Sequence, residues 1–278
     1  MTTPKINTIK RGGARFYVSD DGVTYPGVTS ILGMLPKEFL KFWAAKSVAQ
    51  TAVDDLGSVV SIALRDPSAA VDYLKRSPDR DVRKSQDMGT AAHSLFERMA
   101  KGENVGRVAP DMEPFALHFG EFLDKVQPEF LFLEETVWSD THQYAGSFDW
   151  LARIEGELVW GDTKTTRSGI HEEVGLQLSA YSNADHILRP DGTRVPMPKS
   201  DRGMVFHVRP EGWELTPVRA DRELFEEGFL PLRQVFRYER EIKPTIIGDA
   251  LHKGPAADAP TTRRRAPRAS ARRTEAAA

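Results

Sequence analysis

Residues 144–164 read YAGSFDWLARIEGELVWGDTK, and this stretch decides the fold. Two runs rich in aromatic and branched side chains, 144–154 and 157–163, flank Glu155-Gly156, the chemistry of two strands joined by a tight turn. If that pair forms the tip of an antiparallel hairpin, Ile154 faces Glu157, and the same register sets Asp149 directly opposite Asp162. Cross-strand partners have Cβ atoms roughly 4.5–5.5 Å apart, where like charges are destabilising. Lys164 projects on the Asp162 face, because side chains two apart on a strand share a face. The stretch therefore predicts two carboxylates and one amine converging at the end of a hairpin. A fold avoids such a pair of carboxylates unless something positive lies between them.

Outward from the hairpin, 130–138 reads as a third strand. Residues 172–188 return to helical spacing, 203–209 and 213–219 look like a further strand pair, and 221–240 like a closing helix. Upstream lie helices at 113–126 and at 80–101, the latter stopped by Gly102. Residues 58–74 are helical in pieces, broken at Pro67, and an amphipathic helix follows Pro36. Thr29 reads as the N-cap of 30–35, and 14–25 as two short strands around Asp20-Asp21-Gly22. This order predicts a mixed α/β (α+β) class, with a central mixed sheet flanked by helices and a helical N-terminal section. The expected division is a flexible 1–13, one domain over 14–248 and a disordered tail. Within the domain, 14–127 is mostly helical and 128–248 carries the sheet and the motifs.

The composition bounds the chemistry. The 278 residues include no cysteine, which excludes disulfides, zinc–thiolate sites and cysteine-ligated iron–sulfur clusters. Any metal must sit on carboxylates, histidine, carbonyls and water, a set that favours Mg2+ or Mn2+. No apolar run approaches the roughly 20 residues of a membrane span, and the polar start lacks the apolar stretch of a signal peptide. A cytoplasmic protein is expected, in the host cytoplasm if the source is viral. The formal charge is −2, yet 249–278 holds seven Lys/Arg against three Asp/Glu, leaving about −6 on the preceding body. That tail is rich in Ala, Pro, Thr and Arg and has too little apolar surface to fold alone, so it reads as disordered. It is either a solvated extension or a non-specific attractor of DNA phosphates.

Hydrolysis of a phosphodiester asks for the predicted constellation, since a divalent ion stabilises the developing charge and acidifies or orients the attacking water. Asp149 and Asp162 can hold such an ion, with the Thr163 carbonyl as a neutral ligand. Lys164 can stabilise the hydroxide or the transition-state oxygens, or act as a base. His93 and Glu97, four apart on a helix, offer a further metal arm, although a surface salt bridge explains Glu97 equally well. Gln177 and Tyr181, again four apart, can donate hydrogen bonds to a phosphate or to the site carboxylates. Glu135 is read as a solvent-facing edge residue, and His171, His186 and His207 as structural.

Four motifs now stand in order: Gly89-Thr90-Ala91-Ala92-His93, Gly146-Ser147-Phe148-Asp149, Asp162-Thr163-Lys164-Thr165 and Gln177-Leu178-Ser179-Ala180-Tyr181. Together with Tyr25-Pro26-Gly27-Val28-Thr29-Ser30-Ile31-Leu32 and Phe42-Trp43-Ala44-Ala45, the sequence resembles the PD-(D/E)XK nucleases over roughly residues 16–240. The likeness is to their RecB-like branch, which includes phage exonucleases and the CRISPR-adaptation nucleases. It implies a restriction-endonuclease-like core and a Mg2+- or Mn2+-dependent DNA exonuclease of phage recombination, repair or processing. His93, Asp149, Asp162 and the Thr163 carbonyl would be metal ligands and Lys164 the catalytic lysine. Gln177, Tyr181, Glu97 and Thr165 would bind substrate or support the site. The partner implied is DNA with linear ends, with room for a recombination or single-strand-binding protein and for a ring-shaped oligomer. Two departures are visible. The iron–sulfur cluster of many adaptation relatives is impossible here, and the chain has no phosphate loop of a helicase motor. Two rivals stay open, a non-catalytic DNA-end-binding protein on a nuclease fold and a structure-specific endonuclease.

Overall fold

The computed structural model describes residues 4–200 and 202–252. Gly12 and Gly13 both carry positive φ (55° and 82°), and across them Thr8–Arg11 (β1) pairs antiparallel with Ala14–Val18 (β2). Thr24–Pro26 (β3) completes a three-stranded sheet on the other side of β2. The segment expected to be flexible up to residue 13 thus contains a strand. Its cause is the Gly-Gly pair, which meets the positive-φ demand of a two-residue hairpin turn without a steric penalty.

Gly27, in extended backbone, opens the short helix Val28–Leu32 (α1). The expected cap, Thr29, falls inside its first turn, because the Gly27 N–H is committed to the Arg15 carbonyl (2.9 Å) and the helix starts earlier. Phe39–Asp54 (α2), Leu56–Arg65 (α3), Pro67–Lys75 (α4) and Ser77–Ala100 (α5) form the helical section. The break expected at Pro67 is the start of α4, capped by Asp66, which accepts from the Ser68 and Ala69 N–H groups (2.9 and 3.1 Å). Neither α2 nor α3 buries a residue, whereas α5 reaches the core through Gly89, Ala92, Leu95 and Phe96 in its C-terminal half. Glu113–Val126 (α6) follows, ended by Gln127 in the left-handed region.

The sheet is built from Glu129–Ser139 (β4), Tyr144–Ile154 (β5) and Glu157–Lys164 (β6), then His186–Leu188 (β7), Arg194–Pro196 (β8), Arg202–Arg209 (β9) and Gly212–Arg219 (β10). Among the described residues its order is β10-β9-β6-β5-β4-β7-β8, with β6 and β9 parallel and the other neighbours antiparallel. The Glu155-Gly156 turn has φ of 51° and 83°, and Ile154 faces Glu157 as the sequence predicts. That register runs to Trp150↔Gly161 and stops one pair short of Asp149 and Asp162.

Two further expectations change. The helix after β6, Glu173–Ser182 (α7), ends well before Leu188. Asn183 donates to the Ser179 carbonyl (2.9 Å), the Asp185 N–H turns to the Trp138 carbonyl (3.1 Å), and residues 186–188 fill an open sheet position beside β4. Apolar spacing continues through Ile187 and Leu188, so periodicity does not see the switch. The closing helix is also not uniform. Leu230–Arg237 (α8) is flanked by π-helical turns at Leu224–Phe229 and Tyr238–Ile242, the first beside Pro231, which has no N–H to give the preceding turn.

Helices cover both faces of the sheet. On one, α1, α7 and the closing helices pack Ile31, Leu178, Tyr181, Phe229 and Phe236 against Tyr144, Phe148 and Trp160. On the other, α5 and α6 pack Phe96, Phe119 and Phe122 against Trp150 and Phe206. No described helix is long and apolar enough to cross a membrane. The expectation of a disordered, arginine-rich tail lies outside the described residues from 253 onward, as does the start of the expected flexible 1–13 for residues 1–3.

Candidate active site

In the sheet β4, β5 and β6 lie side by side, and each contributes one buried carboxylate, Glu134, Asp149 and Asp162. Leu133 is opposite Trp150 and Trp150 opposite Gly161, so the three carboxylates occupy the next position along three neighbouring strands. There the ladder opens. The Thr163 N–H donates to Asp149 Oδ2 (2.7 Å) instead of to a backbone carbonyl of β5. Gly161 is obligatory at this point, since a Cβ on it would lie 2.0 Å from the Trp150 indole. The indole N–H in turn donates to Thr163 Oγ1 (3.2 Å), bracing the strand behind the row. Glu134 sits at φ 54°, a left-handed conformation that costs a non-glycine residue on the order of 1–3 kcal/mol.

Helix α5 brings His93 to the first half of the site. Its Nδ1 lies 3.6 Å from Glu134 Oε1 and 3.5 Å from Asp149 Oδ2. Single ligand atoms of His93, Glu134 and Asp149 all lie within 4.8 Å of one another. Burial raises the Glu134 carboxyl to about 7, with the nearby Asp149 charge adding to the rise and contact with His93 offsetting part of it. Burial alone would lower His93, but the Asp149 and Glu134 carboxylates outweigh it and hold the imidazole above its ordinary value.

The second half is gathered by the end of β6 and by α7. Lys164 Nζ stands 2.7 Å from Asp162 Oδ2, and Gln177 Nε2 donates to Asp162 Oδ1 (2.9 Å) and to the Tyr181 hydroxyl (3.1 Å). Beyond the ion pair with Lys164, the buried Asp162 Oδ2 receives no hydrogen bond among the described residues. Burial raises the Asp162 carboxyl, against the pull of Lys164. Burial would lower Lys164, yet the Asp162 and Asp149 charges keep it raised, so its amine is a cation. Tyr181 is buried, its phenol held well above its ordinary value, and its ring leaves no space for a side chain at Gly146, where a Cβ would come within 2.7 Å.

His93 and Asp149 from the first half, and the second half, line one cleft of about 410 Å³ that α5 and α7 also line, whereas Glu134 borders a void of about 20 Å³ behind His93. His93, Asp149, Asp162, Thr163, Lys164, Thr165, Gln177 and Tyr181, all singled out in the sequence, line it. Glu97 does not. It pairs with Lys101 (2.6 Å) and Lys5 (3.8 Å), and it borders the same small void as Glu134 without coming within reach of His93 and Asp149 as Glu134 does. Glu134 stands with His93 where Glu97 was expected. Glu135 is no edge residue either, because β4 is interior to the sheet, and its carboxylate meets Lys5 (3.3 Å). His171 lines the cleft, while His207 is buried and holds the Thr166 carbonyl (2.8 Å) in the loop after Lys164. Sequence reasoning did not find Glu134, Arg15, Tyr17 or Trp43. Tyr17 reaches in from β2, its hydroxyl accepting the Ser147 N–H (3.0 Å). A scan against protein-family models and a search of curated proteins each find no match to this chain.

The arrangement has two buried carboxylates and an imidazole clustered together, and a third buried carboxylate, Asp162, paired with the Lys164 ammonium. Such a donor set suits a hard divalent cation with some imidazole ligation. The remaining cation, Lys164, faces the open cleft.

Proposed function

We propose that the chain is a metal-dependent deoxyribonuclease that hydrolyses phosphodiester bonds, on a restriction-endonuclease-like core. The observation that carries the reading is the row of Glu134, Asp149 and Asp162 across three adjacent strands, with His93 and Lys164 at its two ends. Three buried carboxylates exceed what Lys164 and His93 compensate, and the buried Asp162 Oδ2 has no partner among the described residues beyond Lys164. The residues fit a Mg2+ or Mn2+ ion at the cluster of His93, Glu134 and Asp149; Asp162, expected as a ligand from the sequence, stands outside that cluster and would join it on the Lys164 side. The order of the four motifs, similar to that of PD-(D/E)XK nucleases, supports the same assignment.

When bound, the ion supplies Lewis-acid stabilisation of charge on the phosphate oxygens and an acidified water. The chain's own residues do the rest. Lys164 would stabilise negative charge on a phosphate oxygen or on the attacking hydroxide, or, in its neutral form, take a proton from the water. Gln177 fixes the Asp162 carboxylate by one hydrogen bond and Tyr181 by another, leaving Oδ2 turned to Lys164. The Thr163 N–H holds Asp149 in place, so both aspartates are oriented before substrate arrives.

The test is digestion of end-labelled linear DNA and of covalently closed circles with manganese, magnesium or EDTA, for the parent, Asp162→Ala and Lys164→Ala. Metal-dependent loss of linear DNA alone, abolished in both folded variants, is the expected result and defines an exonuclease. Cutting of circles identifies an endonuclease. Cleavage by a folded Asp162→Ala protein overturns the site assignment. The body charge of about −6 favours one other reading, a DNA-end-binding protein without catalysis, which gains if DNA is bound and never cut.

A further inference from the structure

Helix α2 has sixteen residues and buries none of them, yet it is tied to two helices that line the cleft. Lys37, just before it, pairs with Glu173 at the start of α7 (2.8 Å). Ser47, in its middle, donates to Asp81 of α5 (2.6 Å). Because α7 and α5 both line the cleft, the segment from Lys37 to Ser47 ties its two helical linings together as a strap, and Trp43 of that strap is itself part of the lining.

The strap exposes three aromatic rings within five residues beside the cleft, and a contiguous apolar patch of this kind marks an interaction surface. Trp43 is 37% exposed, Phe39 58% and Phe42 77%. Phe39 and Trp43 are four apart and so share a face of the helix. The cleft continues past Arg15 into a second groove, where Lys10, Arg15 and Arg240 stand with a single carboxylate, Asp87. Neither Arg15 nor Lys10 takes part in an ion pair among the described residues. Aromatic faces beside a reactive centre, followed by a cationic groove, match one ligand chemistry. Bases stack on aromatic rings whatever their sequence, and the backbone follows the cations. The cleft that the strap lines has the volume of a site for a drug-sized molecule, about one or two nucleotides.

Resting on the nuclease reading and narrowing its substrate, we propose that the strand delivered to the site is single. An unpaired DNA end passes along α2, stacks its bases on Trp43 and Phe39, and lays its phosphates along Arg15, Lys10 and Arg240.

The experiment measures binding of a labelled oligothymidylate, and of a duplex closed by loops at both ends, to the full chain in calcium. The variants are Trp43→Leu with Phe39→Leu, which keep an apolar surface but remove the rings, and Trp43→Phe, which keeps one. Both positions are exposed, so thermal melts of the variants should overlay the parent. Expected are oligothymidylate binding at least about tenfold tighter than duplex, a loss of about tenfold or more in the double leucine variant, and near-parental binding in Trp43→Phe. Parental binding by the leucine variant overturns the proposal, as does duplex binding equal to that of the oligothymidylate, or no binding of the oligothymidylate at all. Cleavage in manganese separates the two readings. Ring-dependent binding with no cleavage sinks the nuclease and leaves strand capture standing. Cleavage untouched by loss of the rings does the reverse.

Discussion

Glu134→Gln should make the metal-free protein more stable at pH 8 and less responsive to metal, opposite signs from one isosteric change. The carboxyl has an ordinary value of 4.5 and is pushed to about 7 in the folded chain, first by burial and then by Asp149. A group raised on folding contributes stability that is fully present below 4.5 and is lost as pH rises through about 7. At about 1.4 kcal/mol per pH unit, ionising it in the fold at pH 8 costs on the order of 3 kcal/mol. His93 gives part of this back, since its own raised pKa depends on Glu134, so a net gain of about 1–3 kcal/mol is expected for the amide. For a domain of this size that is roughly 3–9 °C in melting temperature. The assay is a set of thermal melts in EDTA from pH 5 to pH 9, parent against variant, so that titrations elsewhere cancel. The gap should widen between about pH 4.5 and pH 7, staying small toward pH 5, and level off above about pH 7. Manganese should then stabilise the parent more than the variant. A variant that is less stable than the parent at pH 8, or a gap independent of pH, would refute the claim that Glu134 is a buried acid awaiting a cation.

Other outcomes follow from the same geometry. Manganese at a hundredfold excess over its Kd should stabilise the parent by about 2.7 kcal/mol, and Asp149→Asn, which keeps an acceptor for the Thr163 N–H, should lose most of that gain in the same melts. Lys164→Ala should lower kcat by at least about a hundredfold in a nuclease assay while the far-ultraviolet spectrum is unchanged, because the amine acts on developing charge or on the attacking water. Gly161→Ala should destabilise the fold by about 1–3 kcal/mol or more in urea titration, since its Cβ would sit 2.0 Å from the Trp150 ring. Phe122→Ala, removing a ring packed on Phe206 (centroids 4.5 Å apart), should cost about 3–5 kcal/mol in the same titration.

The sheet was legible where local chemistry and tertiary demand agree. The aromatic and branched runs on either side of Glu155-Gly156 give strands, and the turn fixes their register, so Ile154↔Glu157 follows from sequence. Residues 186–188 were not legible, because Ile187 and Leu188 keep helical spacing with α7 and only the vacant position beside β4 makes them a strand. Gly12-Gly13 was readable as a hairpin turn, but the polar residues before it carry no apolar alternation to announce β1. Its register is fixed instead by β2, whose Tyr17 is anchored at the site.

The site divides in the same way, and Glu134 shows why. Asp149, Asp162, Lys164, Gln177 and Tyr181 sit on elements whose spacing the sequence declares. Glu134 does not, because β4 slips register between Phe130 and Phe132, and strict alternation from the strand's start then misassigns everything after it. Between two adjacent glutamates the count favours the wrong one. Glu134 also adopts φ 54°, which no propensity predicts for glutamate. A bulge, a left-handed glutamate and a ladder that opens at Asp149 are three local defects within one small region, and each would be selected against in a sheet built only for stability. Together they turn three carboxylates toward His93 and Lys164. The residues of this strand least predictable from sequence are therefore those at its irregular backbone, and that is where sequence rules fail first.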